Sequence, residues 1–298
     1  MTPLFIGSGV ALVTPFDKDG KIDFERFKYL IEMQIRGETD ALIVCGTTGE
    51  GSTLTVTERL KLFNVAAETV NHRIPVICGT GSNSTSFTVD FAKQAENIDI
   101  DAHLIVTPYY NKTSQSGLIN HYYTIAESLT KPVYVYNVPT RTGMNIQPQT
   151  YKILAEHDNI IGVKEADANI SKLIKSMVMS DGKLDFYIGN DDLISVAMSL
   201  GCKGVISVLS NIIPKYTHEM TMSGISGDSI KCANMQKRVM ELVECLFIDV
   251  SPIVIKEVMN RSGISVGPCR PPLGAIDEKC SELIDLVLRN YVDILKDE

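Results

Sequence analysis

The chain has 298 residues, of which 44 % are hydrophobic and 21 % are charged, and this composition excludes an intrinsically disordered protein. Its formal net charge of -8 argues against a nucleic-acid partner, because nucleic-acid-binding proteins concentrate Lys and Arg. No stretch approaches the roughly 18 apolar residues that a membrane-spanning helix requires, so we expect no membrane partner.

Short apolar runs recur along the chain, and each is followed by a longer stretch with helical spacing. The runs are continuous rather than alternating, which is typical of parallel strands that are covered on both faces. They predict strands over residues 9–14, 41–45, 75–79, 102–107, 133–136, 160–164, 185–189 and 204–208.

The stretches between the runs predict amphipathic helices. Thr55 and Glu58 have the spacing of a capping box that opens one helix, and Gly37 is placed to end an earlier one. Two apolar stripes with helical spacing are Leu118, Tyr122, Ile125 and Leu129, and Ile170, Leu173, Ile174 and Met177.

This order of elements predicts an α/β fold, a (β/α)8 TIM barrel, rather than an open doubly wound sheet. An open sheet would more often have fewer strands and a glycine-rich phosphate turn after the first strand. Here the first run ends in Thr14-Pro15-Phe16. We predict a barrel with the active site over residues 1–225. A C-terminal helical segment, residues 226–298, then packs on the barrel with helices over 230–247, 252–260 and 276–295.

Chemistry in such barrels is carried by the C-terminal ends of the strands. Lys164 ends the sixth run, where burial disfavours an ammonium and favours the free amine that a Schiff-base nucleophile requires. The alternative is a lysine at a strand end that forms an ion pair with Glu165.

Neighbouring strand ends carry groups that complement an amine. Tyr136 offers a phenol that can pass protons, or it fills the end of the barrel. Thr47 and Thr48 lie between glycines, either free to face a ligand or forming a simple tight turn. Arg141 can grip a carboxylate with two hydrogen bonds, or it is a solvated loop residue. Together these groups predict a nucleophile, a proton shuttle and a carboxylate clamp.

Other classes of site are disfavoured. The five histidines lack the spacing of metal ligands, so we expect no metal, and the chain has no P-loop and no Gly-x-Ser-x-Gly motif. Asp191 and Asp192 follow the seventh run, where many barrels bind phosphate, and would repel a phosphorylated substrate.

The cysteines indicate the compartment. Seven are scattered without a Cys-x-x-Cys pair, which favours free thiols in a reducing cytosol. Cys45 and Cys78 lie within apolar runs and are interpreted as small core residues. The first residues lack the basic segment of a signal peptide. We therefore expect a cytoplasmic protein.

Three motifs carry a resemblance to a known family. With GTTGE at 46–50, YNVP at 136–139 and GVK at 162–164, the chain resembles the pyruvate-dependent lyases that include dihydrodipicolinate synthase and N-acetylneuraminate lyase. The likeness runs through the barrel and into the tail. It implies a class I aldolase that needs no metal or organic cofactor. It also implies condensation of pyruvate with L-aspartate 4-semialdehyde, on the diaminopimelate route to lysine.

The resemblance implies catalytic roles for four residues. Lys164 forms the Schiff base with pyruvate, and Tyr136 is the general acid and base, its proton relayed through Thr48 and Tyr110. In the family the tyrosine matching Tyr110 comes from a neighbouring subunit. A homo-oligomer is therefore implied, at least a dimer, and we expect a homotetramer built as a dimer of dimers.

It also implies binding roles. Thr47, Thr48 and the backbone of Ile206 hold the carboxylate of the bound pyruvate, the backbone of Gly189 lines the pocket, and Arg141 receives the carboxylate of the semialdehyde.

Two alternatives remain open. One is a sister lyase acting on a sugar acid, N-acetylneuraminate or a 2-keto-3-deoxy acid. The paired threonines and the Arg-Thr-Gly segment at 141–143, which such lyases usually lack, favour the semialdehyde. The other is a sensor that binds a 2-oxo acid without turnover, which would have no need of a proton relay.

A departure from the family concerns feedback inhibition by lysine. Lysine-inhibited bacterial members have a serine and a glutamate at the positions that correspond to Gly51 and Phe87, while Asn83 and Tyr109 persist. Phe87 offers no charge for a lysine ammonium. We predict weak or absent inhibition by lysine.

Overall fold

Eight parallel strands close into a barrel in the order β1 to β8, and the computed structural model describes residues 2–296. Each strand pairs with the next, and β8 pairs with β1. The predicted TIM barrel is confirmed. The strands are β1 (Gly7–Ala11), β2 (Ala41–Val44), β3 (Val76–Gly79), β4 (Ala102–Val106), β5 (Val133–Asn137), β6 (Ile160–Glu165), β7 (Asp185–Ile188) and β8 (Gly204–Ser207).

Helices follow the strands and surround the barrel. No helix among residues 2–296 combines the length and the apolar character needed to cross a membrane. The helices are α1 (Phe24–Arg36), α2 (Val56–Val70), α3 (Thr85–Ala95), α4 (Gln115–Glu127), α5 (Pro139–Thr142), α6 (Pro148–Leu154), α7 (Ile170–Met179), α8 (Ile194–Ser199), α9 (Pro214–Ile225), α10 (Ser229–Leu246), α11 (Ile253–Arg261), α12 (Glu278–Asn290) and α13 (Val292–Lys296).

The first strand lies earlier than predicted, at Gly7–Ala11 rather than at 9–14. Gly7 has a positive φ of 122° and donates its N–H to the carbonyl of Lys203, which starts the ladder with β8. After Ala11 the chain leaves the ladder, because the N–H of Val13 turns to the side-chain oxygen of Asn211 at 3.1 Å. The prediction was wrong here because Gly7 and Ser8, which open the strand, carry no apolar signal.

Helix boundaries follow local chemistry. Thr55 and Glu58 form the predicted capping box of α2, and Gly37 caps the end of α1. The predicted stripe on α4 is buried at Leu118, Tyr122 and Ile125. The predicted stripe on α7 is wrong at Ile174, which is exposed because the helix packs through Leu173 and Ser176.

Residue 225, where the barrel is predicted to end, is the last residue of α9. The helix predicted over 276–295 is interrupted at Tyr291, which separates α12 from α13. Tyr291 is buried and its hydroxyl donates to the carbonyl of Arg238 at 2.9 Å, so α12 ends where the chain anchors onto α10.

Candidate active site

A cavity of about 680 Å³ opens at the C-terminal ends of the strands. Thr47, Tyr136 and Arg141 are predicted site residues that line it. Thr48 is buried in the loop beside Thr47, and Ile206 is buried within β8. The structure therefore gathers at one end of the barrel residues that are far apart in sequence.

Lys164 lies next to Tyr136 because their strands are paired in register. Its amine nitrogen Nζ is 4.6 Å from the centre of the Tyr136 ring, and both side chains are buried. Successive residues of a strand face opposite sides, so Lys164 points into the barrel and Glu165 points outward.

Glu165 is engaged on the outer side of the barrel. Its carboxylate accepts hydrogen bonds from the hydroxyl of Tyr151 at 2.8 Å and from the side-chain amide of Asn137 at 2.7 Å. Burial raises the pKa of this carboxyl. The alternative in which Glu165 holds Lys164 in an ion pair is not the arrangement of the structure.

Gly189 leaves room for the amine. A side chain at this position would start 3.1 Å from Cε of Lys164 and 2.9 Å from Cβ of Ala166. The N–H of Gly189 donates to the carbonyl of Glu165 at 2.7 Å, which fixes the backbone close to the lysine stem. A residue with a Cβ would crowd the side chain of Lys164.

A compact turn holds the paired threonines. The N–H of Glu50 donates to the carbonyl of Thr47 at 3.0 Å, and the hydroxyl of Thr14 donates to the carbonyl of Gly49 at 2.6 Å. Thr48 is buried, while Thr47 is partly exposed to the cavity. The turn is therefore tight, and of the two threonines Thr47 lines the cavity.

Sequence reasoning missed the group that anchors this turn. Glu50 is buried and its carboxylate is 2.8 Å from Nζ of Lys256, which lies on α11. The same Nζ donates to the carbonyls of Thr14 and Pro268, and the backbone N–H of Arg270 donates to Glu50 at 2.8 Å. The tail therefore holds the turn through a buried ion pair.

Lys256→Met is expected to lower both stability and activity. Removal of one partner of a buried ion pair leaves an uncompensated charge on the other, which costs about 3–5 kcal/mol in the free energy of unfolding. The turn that carries Thr47 and Thr48 then shifts, and kcat/KM for pyruvate falls by about 10- to 100-fold. Urea denaturation and steady-state rates measure the two effects.

The double variant Glu50→Gln with Lys256→Met is the matched control. It removes both charges, so it should recover part of the lost stability. A single variant as stable as the unsubstituted chain would contradict the anchoring role of the pair.

The loops after β7 and β8 are closed to phosphate. Asp191 is buried, and its carboxylate accepts the backbone N–H groups of Val208 and Leu209, each at 2.9 Å. Many barrels bind phosphate with the loops after these two strands. Because the carboxylate of Asp191 already accepts the hydrogen bonds of these amides, the arrangement disfavours a phosphorylated substrate.

Cys45 lines the cavity but is a poor nucleophile. Burial raises the pKa of its thiol to about 12, so it carries almost no thiolate at neutral pH. Cys45 and Cys78 are core residues as predicted, and all seven cysteines are free thiols. Lys164 is therefore the stronger candidate for a covalent step.

Two predicted site residues face outward. Arg141 is exposed at the cavity rim, where its guanidinium donates to the carbonyl of Ser251 at 3.1 Å. Tyr110 has a positive φ of 70°, and the residue is 92 % exposed in the single chain. The side chain of Tyr110 is therefore accessible to solvent or to another protein chain.

Comparisons with known proteins cover nearly the whole chain. A sequence profile of the dihydrodipicolinate synthetase family matches residues 4–290. The 4-hydroxy-tetrahydrodipicolinate synthase 1 of Clostridium acetobutylicum is 45% identical over 288 residues, which cover 97% of this chain and 98% of that protein. The 4-hydroxy-tetrahydrodipicolinate synthase of Acetivibrio thermocellus is 46% identical over 289 residues, with the same coverage.

The fold is also that of a solved relative. The crystal structure of dihydrodipicolinate synthase from Thermotoga maritima superposes with a TM-score of 0.93 at 38% identity, over 96% of this chain and 98% of that one. The similarity extends over the barrel and into the C-terminal helices.

Proposed function

The chain belongs to the dihydrodipicolinate synthetase family, and we propose that it condenses pyruvate with L-aspartate 4-semialdehyde through a Schiff base on Lys164. It is an enzyme of the lyase class, as its relatives are. The observation that carries the proposal is the buried amine of Lys164, 4.6 Å from the ring of Tyr136 at the catalytic end of the barrel.

The covalent route divides a difficult carbon–carbon bond formation into easier steps. Nζ of Lys164 attacks the keto carbon of pyruvate, and loss of water gives a protonated imine. The imine withdraws electrons, so a methyl proton can leave and an enamine forms. The enamine attacks the aldehyde carbon of the second substrate. The amine of that substrate then attacks the imine carbon, displaces Lys164 and closes the ring.

Tyr136 is proposed to move the protons of this sequence. Its phenol lies beside the amine, where it can protonate the leaving hydroxyl of the carbinolamine and accept a proton later. Thr48 and a Tyr110 contributed by a neighbouring subunit are proposed to relay the proton toward solvent. The steps as proposed need no metal and no organic cofactor.

The carboxylates of the two substrates need separate partners. Thr47, Thr48 and the backbone of Ile206 are proposed to hold the carboxylate of bound pyruvate, with Gly189 lining the pocket. Arg141 is proposed to receive the carboxylate of the semialdehyde, since its exposed guanidinium stands at the cavity rim. Neither role needs a phosphate site.

Substrate range is the experiment that tests the proposal. Pyruvate consumption is measured with L-aspartate 4-semialdehyde, N-acetylmannosamine and glyceraldehyde in parallel. Turnover with the semialdehyde alone supports the proposed reaction. Turnover with a sugar partner would move the chain to a sister lyase, and pyruvate binding without any turnover would favour a sensor.

A cytoplasmic homotetramer is proposed as the working assembly. Tyr110 is largely exposed, as expected of a residue that completes the site of a neighbouring subunit. Ile174 and Val178 on α7 and Val196 on α8 are exposed apolar side chains that a second interface would cover. Free cysteines suit a reducing compartment. An active monomer in sedimentation velocity would contradict this assembly.

Lysine is expected to inhibit weakly or not at all. Phe87 lines the cavity as an apolar side chain, and Gly51, which lines the same cavity, has no hydroxyl. Neither offers an acceptor to an ammonium group. Initial rates at millimolar lysine should match those without it, and strong inhibition would contradict the prediction.

A further inference from the structure

The register between β5 and β6 shifts by one residue before the strands reach the active site. Val133 pairs with Ile160, but Tyr134 pairs with Gly162, so β6 contains one extra residue at this point. A shift of one residue reverses the face of the sheet to which the later side chains of a strand point. The direction in which Lys164 points therefore depends on how firmly the shifted register is held.

A pair of buried polar side chains joins the two strands where the shifted register ends. Asn137 and Glu165 immediately follow Tyr136 and Lys164, and they are partners in the same register. Both side chains lie on the outer face of the barrel, and the amide nitrogen Nδ2 of Asn137 donates to Oε1 of Glu165 at 2.7 Å. The backbone adds a second link, because the N–H of Ala166 donates to the carbonyl of Asn137 at 2.9 Å.

The same carboxylate is held from two further sides. The backbone N–H of Asp167 donates to Oε1 of Glu165 at 2.9 Å, and the hydroxyl of Tyr151 donates to Oε2 at 2.8 Å. Asn145 accepts a hydrogen bond from the amide of Asn137 at 3.0 Å and donates one to the carboxylate of Asp167 at 2.8 Å. The amide of Asn137 and the carboxylate of Glu165 therefore have fixed orientations.

Packing alone does not explain a carboxylate in this place. Burial raises the pKa of Glu165, because the charged form loses its contact with water. Apolar side chains of similar volume often stabilise a protein as well as buried charged groups do. Hydrogen bonds differ from apolar contacts in being directional, so they fix one strand relative to the other. A function that depends on an accurate distance between the strands accounts for the polar pair.

We infer that Asn137 and Glu165 are a positioning pair, which holds Lys164 and Tyr136 at the distance that proton transfer requires. The inference rests on the proposed Schiff base on Lys164. A proton donor must lie within hydrogen-bond reach of the atom that it protonates, and a displacement of about 1 Å can lower a rate about 100-fold. The pair lies on the outer face, so it acts through the two strands and not by contact with the substrate.

Exchange of the methyl protons of pyruvate with deuterated water, followed by NMR against a sample without protein, tests the inference. In the proposed chemistry the imine loses a methyl proton to give the enamine, and a deuteron from solvent then returns to the same carbon. Glu165→Met removes the acceptor at similar volume and should slow the exchange about 10- to 100-fold. Glu165→Gln keeps an oxygen that accepts from Asn137 and should retain most of the rate.

Tyr151→Phe is the matched control. It removes a hydrogen bond from the same carboxylate, but this bond leads to α6 and not to β5. The variant should unfold at a lower urea concentration and still exchange at nearly the unsubstituted rate. Asn137→Ser removes the link from the other strand, because serine ends one bond short of the amide nitrogen. It should slow the exchange as Glu165→Met does, and it replaces that variant if Glu165→Met does not fold.

Combination with Tyr136→Phe separates positioning from general destabilisation. If the pair acts by placing the hydroxyl of Tyr136, Glu165→Met should cost much less once that hydroxyl is absent. Exchange in Glu165→Met at the unsubstituted rate, or slowed by the same factor with and without the hydroxyl, would overturn the inference alone. Absence of exchange in the unsubstituted chain would overturn the proposed function and this inference with it.

Discussion

Lys164→Arg is expected to reduce kcat on the order of 10⁴-fold or more, because a group whose covalent bond to the substrate defines the pathway cannot be replaced by binding alone. The guanidinium of arginine keeps a positive charge at the end of β6 but does not form an imine at neutral pH. Steady-state rates with pyruvate and the semialdehyde measure the loss.

Lys203→Met is the matched control for this variant. Lys203 immediately precedes β8 and so lies at the opposite end of the strands from Lys164. Its loss should leave kcat close to that of the unsubstituted protein. Retention of turnover in Lys164→Arg would contradict the covalent route, whereas equal losses in both variants would indicate a general effect on folding.

Tyr136→Phe is expected to lower kcat by about 10²- to 10⁴-fold, the usual contribution of a positioned general acid or base. The ring that packs beside Lys164 remains, so the change removes only the proton-carrying oxygen. KM for pyruvate should change much less than kcat. A large fall in kcat with little change in KM distinguishes proton transfer from a role in which the ring merely fills the end of the barrel.

Tyr134→Phe provides a control on the same strand. Tyr134 precedes Tyr136 by two residues on β5, so both side chains face the same side of the sheet, and Tyr134 is fully buried. Its variant should turn over at nearly the unsubstituted rate. An unchanged kcat in Tyr136→Phe would show that the hydroxyl of Tyr136 does not transfer the proton.

The fold could be predicted largely because a parallel barrel buries both faces of its strands. Seven of the apolar runs match β2 to β8 closely, whereas the first is displaced because Gly7 and Ser8 give no apolar signal. Ile174 shows the limit of helical periodicity. The pattern identifies an apolar stripe, but only packing decides which of its residues the barrel covers.

The candidate site could be predicted in part for a geometric reason. Parallel strands end at the same edge, so Lys164 and Tyr136 were expected together, and the register between β5 and β6 pairs them. The ion pair between Lys256 and Glu50 gives no comparable signal in the sequence. Neither do the hydrogen bonds that the backbone amides after β8 donate to the carboxylate of Asp191. Both join segments that are distant in sequence and fit no local period.

Arg59 illustrates the same limit for an unpaired group. In the sequence it is one charged residue on an amphipathic helix, where a solvated arginine is the usual outcome. Its burial against Phe91 and its missing counter-charge are properties of the folded chain alone.

Trapping of the pyruvate imine with borohydride tests the central claim most directly. Reduction fixes the substrate to the amine that holds it, and peptide mass spectrometry then identifies the modified residue. We predict one reduced pyruvyl group per chain, located on Lys164 and absent from Lys164→Arg. An unmodified Lys164 in a protein that turns over pyruvate, or a label on another lysine, would contradict the account.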